Sequence, residues 1–223
     1  ATDAACGVCF DGDADRVGFV DETGESVGND LITALLVPEV LHDERGATIV
    51  YDLRSTRALK EEIEKHGGVP HRERVGHSYM KGALRETNAP LGGELSGHTY
   101  YRDNYFCDSA VITLLKMLTV LSAHPGETLS DLIAPLRRYA TTGEVNFEVD
   151  DKEAAIQQLA QTFSDGTVDF LDGVTVEYED WWFNCRPSNT EPLLRLTLEA
   201  DDETIRDEQY EKIIGILGEP AEH

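Results

Sequence analysis

The chain has 223 residues, of which 40% are hydrophobic, and its 43 acidic residues against 19 basic ones give a formal net charge of −24. This length exceeds the usual domain size of about 100–150 residues, so we expect one large domain or two ordinary ones. A charge this negative argues against nucleic acid as a partner, because binding to phosphate backbones needs a basic surface.

Neither a membrane nor an oxidising compartment is indicated by the composition. No segment approaches the roughly 18 consecutive apolar residues that a membrane-spanning helix needs, and no basic segment followed by an apolar run marks a secretory signal. The four cysteines stand at irregular positions and do not form the pattern of a disulfide framework. We therefore expect a soluble cytoplasmic protein with no membrane partner.

The acidic residues are scattered along the whole chain and are not gathered in a tail, and lysine is scarce beside arginine. This distribution is typical of a halophilic, salt-adapted surface, on which self-repulsion must be screened by salt. The alternative is an ordinary solvated acidic face.

The first predicted elements are two strands on either side of an Asp-rich turn, at residues 7–10 and 17–20. An isolated hairpin is at best marginally stable in water. We therefore expect residues 1–25 to be the end of a truncated α/β domain whose earlier strands are not in this sequence.

The next region alternates helical periodicity with short apolar runs. Helices are predicted at 29–43, 56–66, 78–87, 108–122 and 129–139, and strands at 48–51, 68–72 and 90–93. This alternation predicts a sheet between helices, in an α/β domain over residues 26–138.

The pattern changes after Thr141-Thr142-Gly143, which we interpret as an interruption between domains. The elements predicted beyond it are a strand at 144–149, a helix at 152–163, strands at 174–178, 181–185 and 193–199, and a helix at 203–217. This order is typical of a separate α+β domain over residues 139–223. Strand alternation predicts that one of Trp181 and Trp182 faces the core and the other faces solvent.

Three aspartates alternate along the first turn, Asp11-Gly12-Asp13-Ala14-Asp15-Arg16. Their carboxylates can converge on one point and supply the oxygen ligands that Mg²⁺ prefers, while Arg16 offsets part of their charge. An EF-hand would need glycine where Arg16 stands and helices where strands are predicted. An aspartyl-phosphate loop would need two aspartates and not three. A plain Asp/Gly turn is the remaining alternative.

A second group of polar residues follows the strand at 90–93, in Gly92-Gly93-Glu94-Leu95-Ser96-Gly97-His98. Glu94, Ser96 and His98 are spaced by two and can project to one side. A carboxylate can accept hydrogen bonds from adjacent sugar hydroxyls, and a histidine beside them can move a proton near neutral pH. The alternative for His98 is a hydrogen-bonded structural histidine.

The third group is Arg186-Pro187-Ser188-Asn189-Thr190-Glu191-Pro192, between two apolar strands. A guanidinium, two hydroxyls and an amide within five residues can surround a phosphate dianion. The alternative is a turn with an incidental arginine.

These three loops, in this order and spacing, resemble the α-D-phosphohexomutase family, and the resemblance covers nearly the whole chain. It implies a mixed-sheet α/β domain followed by a C-terminal α+β domain that is TATA-box-binding-protein-like. It also implies an isomerase of carbohydrate metabolism, of the phosphomannomutase and phosphoglucomutase kind, that moves phosphate between the 1- and 6-positions of a hexose with Mg²⁺ and a phosphoserine.

The resemblance implies a role for each loop. Mg²⁺ would be bound by Asp11, Asp13 and Asp15, and the catalytic residues would be Arg16 and His98. The hexose phosphate would contact Arg54, Gly76, His77, Glu94, Ser96, His98, Arg186, Ser188, Asn189 and Thr190. Arg54 stands where the family has lysine, which keeps the charge but not the geometry. Mannose phosphate is expected ahead of glucose phosphate, and glucosamine phosphate third.

The family's chain is about twice as long, and its first half holds a Thr-Ala-Ser-His-Asn-Pro type loop with the phosphoserine. No such loop occurs in these 223 residues. We therefore expect a C-terminal portion that is inactive alone and whose partner is the missing N-terminal half. The alternative function is a non-catalytic sugar-phosphate-binding module.

Overall fold

The computed structural model describes residues 4–188 and 191–221, and the chain divides into two compact units at residues 1–138 and 139–223. No helix among the described residues has both the length and the apolar content needed to cross a bilayer.

The first unit begins with a three-stranded antiparallel sheet of β1 (Gly7–Phe10), β2 (Val17–Val20) and β3 (Ser26–Val27), in that spatial order. The two predicted strands of the hairpin are confirmed. Val17, Phe19 and Val27 are buried in the core of the unit, whereas the residues of β1 are exposed. Buried and less buried residues alternate along β2, and the buried side chains pack the hairpin against the rest of the unit.

The second sheet of this unit is mixed, as the fold prediction requires. Its strands are β4 (Thr48–Asp52), β5 (Val69–Glu73), β6 (Leu91–Gly93), β7 (Thr99–Tyr101) and β8 (Cys107–Asp108). They lie in the order β5-β4-β6-β7-β8, with β4 parallel to β5 and β6, and with β7 antiparallel to β6 and β8. The carboxyl ends of β4 and β6 therefore lie at the same edge of the sheet.

Five α-helices complete the described part of the unit: α1 (Asn29–Asp43), α2 (Arg57–Lys65), α3 (His77–Thr87), α4 (Ala110–Ala123) and α5 (Leu129–Ile133). The core lies around α1, whose Ile32, Leu36 and Val37 are fully buried, and each such side chain contributes roughly 1.5–3 kcal/mol. The predicted helix at 129–139 is wrong in its length. Pro135 follows closely, and because proline has no backbone N–H it cannot donate the next hydrogen bond of the helix.

The second unit is an antiparallel sheet packed against two helices. The strands are β9 (Ala140–Phe147), β10 (Thr167–Asp169), β11 (Val174–Glu177), β12 (Trp181–Pro187) and β13 (Leu194–Ala200), in the order β10-β11-β12-β13-β9. The helices are α6 (Lys152–Thr162) and α7 (Glu203–Leu217), and their apolar side chains join the core of the sheet. This is the α+β arrangement that the sequence predicts.

Two local predictions in this unit are wrong. Thr141, Thr142 and Gly143 do not form a break between domains, because they lie inside β9. The pairing of β9 with β13 shifts its register at this point, between Thr197 and Glu199. Trp181 and Trp182 are both buried. The indole N–H of Trp182 donates a hydrogen bond of 2.9 Å to Glu199 Oε1, which gives the second tryptophan a polar partner within the protein.

Candidate active site

The Asp-rich turn joins β1 to β2, and it brings the three predicted metal ligands together. Asp11, Asp13 and Asp15 each offer a carboxylate oxygen within 4.8 Å of the others. Arg16 Nε donates to Asp11 Oδ2 at 2.6 Å, and this hydrogen bond lowers the pKa of Asp11. The sequence-predicted cation is therefore next to the carboxylates, and it pairs with Asp11.

Ala14, in the middle of this turn, has a φ of +59°. A non-glycine residue in the left-handed region costs about 1–2 kcal/mol, and such strain persists only where the surroundings determine it. The sequence held no signal for this conformation, which reverses the chain between Asp13 and Asp15.

The loop of residues 94–98, which we call the sugar loop after its predicted role, lies between β6 and β7 and contacts the Asp-rich turn directly. The backbone N–H of Val17 donates to the carbonyl of Gly97 at 3.3 Å. Gly97 has a φ of +104°, and a Cβ there would lie 3.4 Å from the Cβ of Arg16, so glycine serves both the turn and the close approach. Asp15 Oδ1 is 3.5 Å from His98 Nε2. The fold thus brings together two loops that are about 80 residues apart in the sequence.

Glu94 is 2% exposed and anchors the sugar loop. Its Oε1 accepts from the N–H of Gly76 at 3.0 Å, and its Oε2 accepts from the hydroxyl of Tyr100 at 2.6 Å and lies 3.3 Å from His98 Nδ1. Burial alone would raise the pKa of Glu94, but the hydrogen bonds from His98, Tyr100 and Gly76 lower it overall. Glu94 is therefore an ionised carboxylate held by three donors.

His77 and His98 face each other across the site, with their Nε2 atoms 3.0 Å apart. Ser96 Oγ lies 2.9 Å from His98 Nδ1, and His77 Nδ1 lies 3.6 Å from Asp108 Oδ2. Lys81 Nζ is 2.8 Å from the other oxygen of Asp108, and although burial raises the pKa of that carboxyl, the hydrogen bond from Lys81 lowers it overall.

Arg54 follows β4 and is almost fully buried in an ion pair with Asp52. Arg54 Nη2 is 2.6 Å from Asp52 Oδ2, which also accepts from the backbone N–H of Leu95 at 2.9 Å. Asp52 therefore links the end of β4 to the sugar loop. In the sequence, Asp52 begins the Asp52–Thr56 segment that resembles the family, and it stands at the carboxyl end of a buried strand.

The predicted phosphate loop belongs to the second unit. Arg186 is 2% exposed, and its Nη2 lies 2.7 Å from Glu144 Oε2. The backbone N–H of Ser188 donates to the carbonyl of Leu193 at 2.8 Å, and the hydroxyl of Ser188 accepts from the N–H of Glu191 at 3.2 Å. The other two predicted ligands, Asn189 and Thr190, lie outside the described residues.

Sequence reasoning missed several side chains that hold the loops in place: Asp52, Tyr100, Lys81, Asp108 and Asn29. Asn29 Nδ2 donates to the carbonyl of Glu94 at 2.7 Å and also lies 3.3 Å from the carbonyl of His98. Tyr100 is six residues from its partner Glu94, but the other four reach the site through contacts that are distant in sequence, so no local spacing signals them.

Two family models match the chain. The first, described as phosphoglucomutase/phosphomannomutase, alpha/beta/alpha domain III, matches residues 28–139, and the second, the C-terminal domain of the same family, matches residues 144–215. The Asp-rich turn precedes the first match, the sugar loop lies inside it, and the phosphate loop lies inside the second.

Curated relatives give the same assignment. The chain is 40% identical to a phosphomannomutase of Methanocaldococcus jannaschii and 38% identical to a phosphomannomutase of Vibrio cholerae, over 95% and 88% of its own length. It covers 47% and 43% of those two proteins, so it spans less than half the length of these relatives.

A solved structure of a phosphoglucomutase/phosphomannomutase family protein from Burkholderia thailandensis is also similar. It has a TM-score of 0.85 and is 34% identical, and the match covers 96% of this chain and 47% of that one. With two family models that together account for most of its length, the chain belongs to the phosphoglucomutase/phosphomannomutase family.

Proposed function

We propose that these residues carry the metal, sugar and distal-phosphate loops of a cytoplasmic phosphohexomutase that interconverts hexose 1-phosphate and hexose 6-phosphate, with mannose phosphate preferred. The observation that carries this proposal is the contact between the Asp-rich turn and the sugar loop, through Val17 and Gly97 and through Asp15 and His98. The phosphomannomutase names of the relatives support the choice of mannose.

The Asp-rich turn fits a Mg²⁺ ion, because three carboxylates within 4.8 Å of one another provide the hard oxygen donors that this ion prefers. Asp11, Asp13 and Asp15 would hold it. When bound, Mg²⁺ would supply positive charge beside the phosphoryl group in transfer. Arg16, already paired with Asp11, adds a second positive charge on the same turn.

The sugar loop would position the hexose and move the proton of the reacting hydroxyl. The hydroxyl of Ser96 can bind sugar hydroxyls, and so can the Glu94 carboxylate, which can accept more hydrogen bonds than its three donors use. His98 Nδ1 is occupied by Ser96 and Glu94, which leaves Nε2 as the nitrogen that holds or accepts a proton. Gly76 and His77 are attached to this loop through Glu94 and His98 and would face the same ligand.

The phosphate that does not react would bind in the second unit, at Arg186, Ser188, Asn189 and Thr190. In this structure Arg186 forms an ion pair with Glu144, which also pairs with Arg195. A phosphate dianion would therefore compete with Glu144 for the Arg186 guanidinium, whose planar fork suits two oxygens at once.

The phosphoryl relay would come from a phosphoserine on a segment that is not among these residues, since no serine here stands in a loop of that type. A group that donates one phosphoryl and accepts the other is needed to interconvert the two phosphates. We therefore expect the 223-residue chain alone to bind hexose phosphate weakly and to turn nothing over.

A coupled assay for conversion of mannose 1-phosphate to mannose 6-phosphate tests the proposal. The chain alone should be inactive, and the chain joined to the segment encoded upstream should be active. In the joined protein His98→Gln should chiefly lower kcat, and Arg186→Ala should chiefly raise KM, while the half-exposed His71→Gln should change neither.

Turnover by the chain alone, verified free of an N-terminal fragment, would contradict our assignment of the chemistry. A joined protein that binds hexose phosphate but does not turn it over would favour the non-catalytic sugar-phosphate-binding module.

A further inference from the structure

The facing pair of histidines has a property that the mutase reaction does not require. The Nε2 atoms of His77 and His98 lie 3.0 Å apart, and Asp15 Oδ1 lies 3.5 Å from His98 Nε2. Each of the three residues offers a ligand atom within 4.8 Å of the others. Two imidazole nitrogens and a carboxylate oxygen close to one point form the donor set of a zinc site with three protein ligands.

The spacing of the two nitrogens suits a single ion. Zinc binds imidazole nitrogen at about 2.0–2.1 Å, so two nitrogens on one tetrahedral ion lie roughly 3.3 Å apart. The observed 3.0 Å is within a few tenths of an ångström of that separation. His77 is half-exposed at the start of α3, so its ring can make this adjustment.

Each imidazole is also held at its other nitrogen. His77 Nδ1 lies 3.6 Å from Asp108 Oδ2, and His98 Nδ1 lies 3.3 Å from Glu94 Oε2 and 2.9 Å from Ser96 Oγ. A carboxylate behind a histidine fixes the tautomer with Nε2 free, orients the ring and raises its basicity as a ligand.

We propose that His77, His98 and Asp15 form a binding site for a zinc-class transition-metal ion, separate in its ligand set from the Asp-rich Mg²⁺ site but sharing Asp15 with it. Imidazole nitrogen selects zinc-class ions, whereas Mg²⁺ prefers oxygen donors alone. Because one carboxylate belongs to both sets, zinc at the histidine pair should weaken Mg²⁺ binding to the turn.

This sharing has a consequence for activity, which rests on the proposed function. Zinc on His98 Nε2 would occupy the nitrogen that handles the proton, so the ion would inhibit the mutase. The binding itself does not depend on that function, and it can therefore be tested without an assay of turnover.

Titration calorimetry with ZnCl₂ alone, on the 223-residue protein, measures the site. We expect one tight site whose zinc affinity falls at least about a hundredfold in His77→Gln. Even removal of a residue that only hydrogen-bonds to a ligating histidine lowers metal affinity roughly 10–100-fold. The matched control is His71→Gln, which removes a histidine of similar exposure that also has a carboxylate neighbour.

Two further measurements separate this site from the Asp-rich turn. Asp13→Asn should weaken Mg²⁺ binding and leave zinc binding within threefold of the unchanged protein. Co²⁺ should give the strong visible absorption of a four-coordinate ion, and His77→Gln and His98→Gln should each abolish it. Circular dichroism checks that both variants are folded.

Zinc affinity unchanged by His77→Gln, zinc binding lost in Asp13→Asn, or no tight zinc site at all would each overturn the proposal. Zinc binding that falls in both histidine variants and persists in His71→Gln supports it.

Discussion

The hydrogen bond between Tyr100 and Glu94 joins two side chains that are almost completely removed from water. Glu94 has its pKa lowered by its donors in spite of burial, so the ionised form is the one that the fold stabilises. A hydrogen bond to a charged group is worth more than one between neutral groups, about 1.5–3 against 0.5–1.5 kcal/mol.

Tyr100→Phe should therefore lower the free energy of unfolding by about 1.5–3 kcal/mol at neutral pH. The neighbouring Tyr101→Phe is the matched control, because Tyr101 is also buried in β7 but donates to the neutral hydroxyl of Thr113 at 2.9 Å. It should cost about 0.5–1.5 kcal/mol. Urea denaturation of both variants measures the difference, and equal losses would contradict the charged state of Glu94.

The sign of the pH dependence follows from the lowered pKa of Glu94. Ionised Glu94 stabilises the fold above the unfolded-state pKa of about 4.3, and this stabilisation is lost as the pH falls through the folded-state pKa. The deficit of Tyr100→Phe should hence be full at neutral pH and shrink in acid. A deficit that grows in acid would contradict this linkage.

At the scale of elements, β6 and α1 approach so closely that the strand can hold no side chain at Gly93. A Cβ there would lie 2.2 Å from Thr33 Oγ1 and 2.8 Å from its Cγ2. Thr33 is fully buried in α1 and is fixed by a hydrogen bond from its hydroxyl to the carbonyl of Asn29. The sugar loop begins directly after this contact, so its position depends on the glycine.

Gly93→Ala should destabilise the protein by about 1–3 kcal/mol or more, because overpacking forces the helix and strand apart. Gly82→Ala is the matched control, since Gly82 lies in the exposed interior of α3 and a Cβ at that position would have no neighbour within 4 Å. That change should stabilise by about 0.5–1 kcal/mol. Thermal melts of both variants measure the contrast, and a neutral Gly93→Ala would refute the close approach.

The elements with strong local signals are the ones that the sequence predicts well. The bounds of α1 and α7 are those predicted from the sequence, and in α7 the side chain of Asp202 caps the first turn by accepting from the N–H of Ile205. The strands β7, β8 and β10 were missed because two or three residues carry no periodicity, and they pair only where the fold supplies a neighbour.

The same distinction between local signals and distant contacts applies to the candidate site. Spacing alone pointed to Asp11, Asp13 and Asp15 as one cluster, and the structure brings them within 4.8 Å of one another. Spacing could not show that Asp15 meets His98, or that Asp108 lies behind His77, because those contacts depend on how the hairpin, β7 and α3 pack.

At the scale of the whole molecule, the net charge of −24 is far beyond the magnitude of about 2–8 that suffices to keep a small domain soluble. Many ion pairs use the few basic residues, for example Arg138 with Glu61 at 2.6 Å and Arg102 with Asp103 at 3.4 Å. The 43 acidic residues outnumber the 19 basic ones by 24, so the carboxylates carry a large excess of negative charge. Folding brings them closer together, so self-repulsion opposes the compact state.

We therefore expect the melting temperature to rise steeply with potassium chloride. Screening acts first, because the Debye length falls from about 30 Å at 0.01 M to about 3 Å at 1 M salt. A rise that ends near 1 M would reflect relief of repulsion alone, whereas a rise that continues into multimolar salt would mark a salt-adapted surface. Sucrose at matched concentration is the control, since it favours compact states without screening charge. A melting temperature that sucrose raises as much as salt does, or that salt leaves unchanged, would mean that the acidic excess does not limit stability.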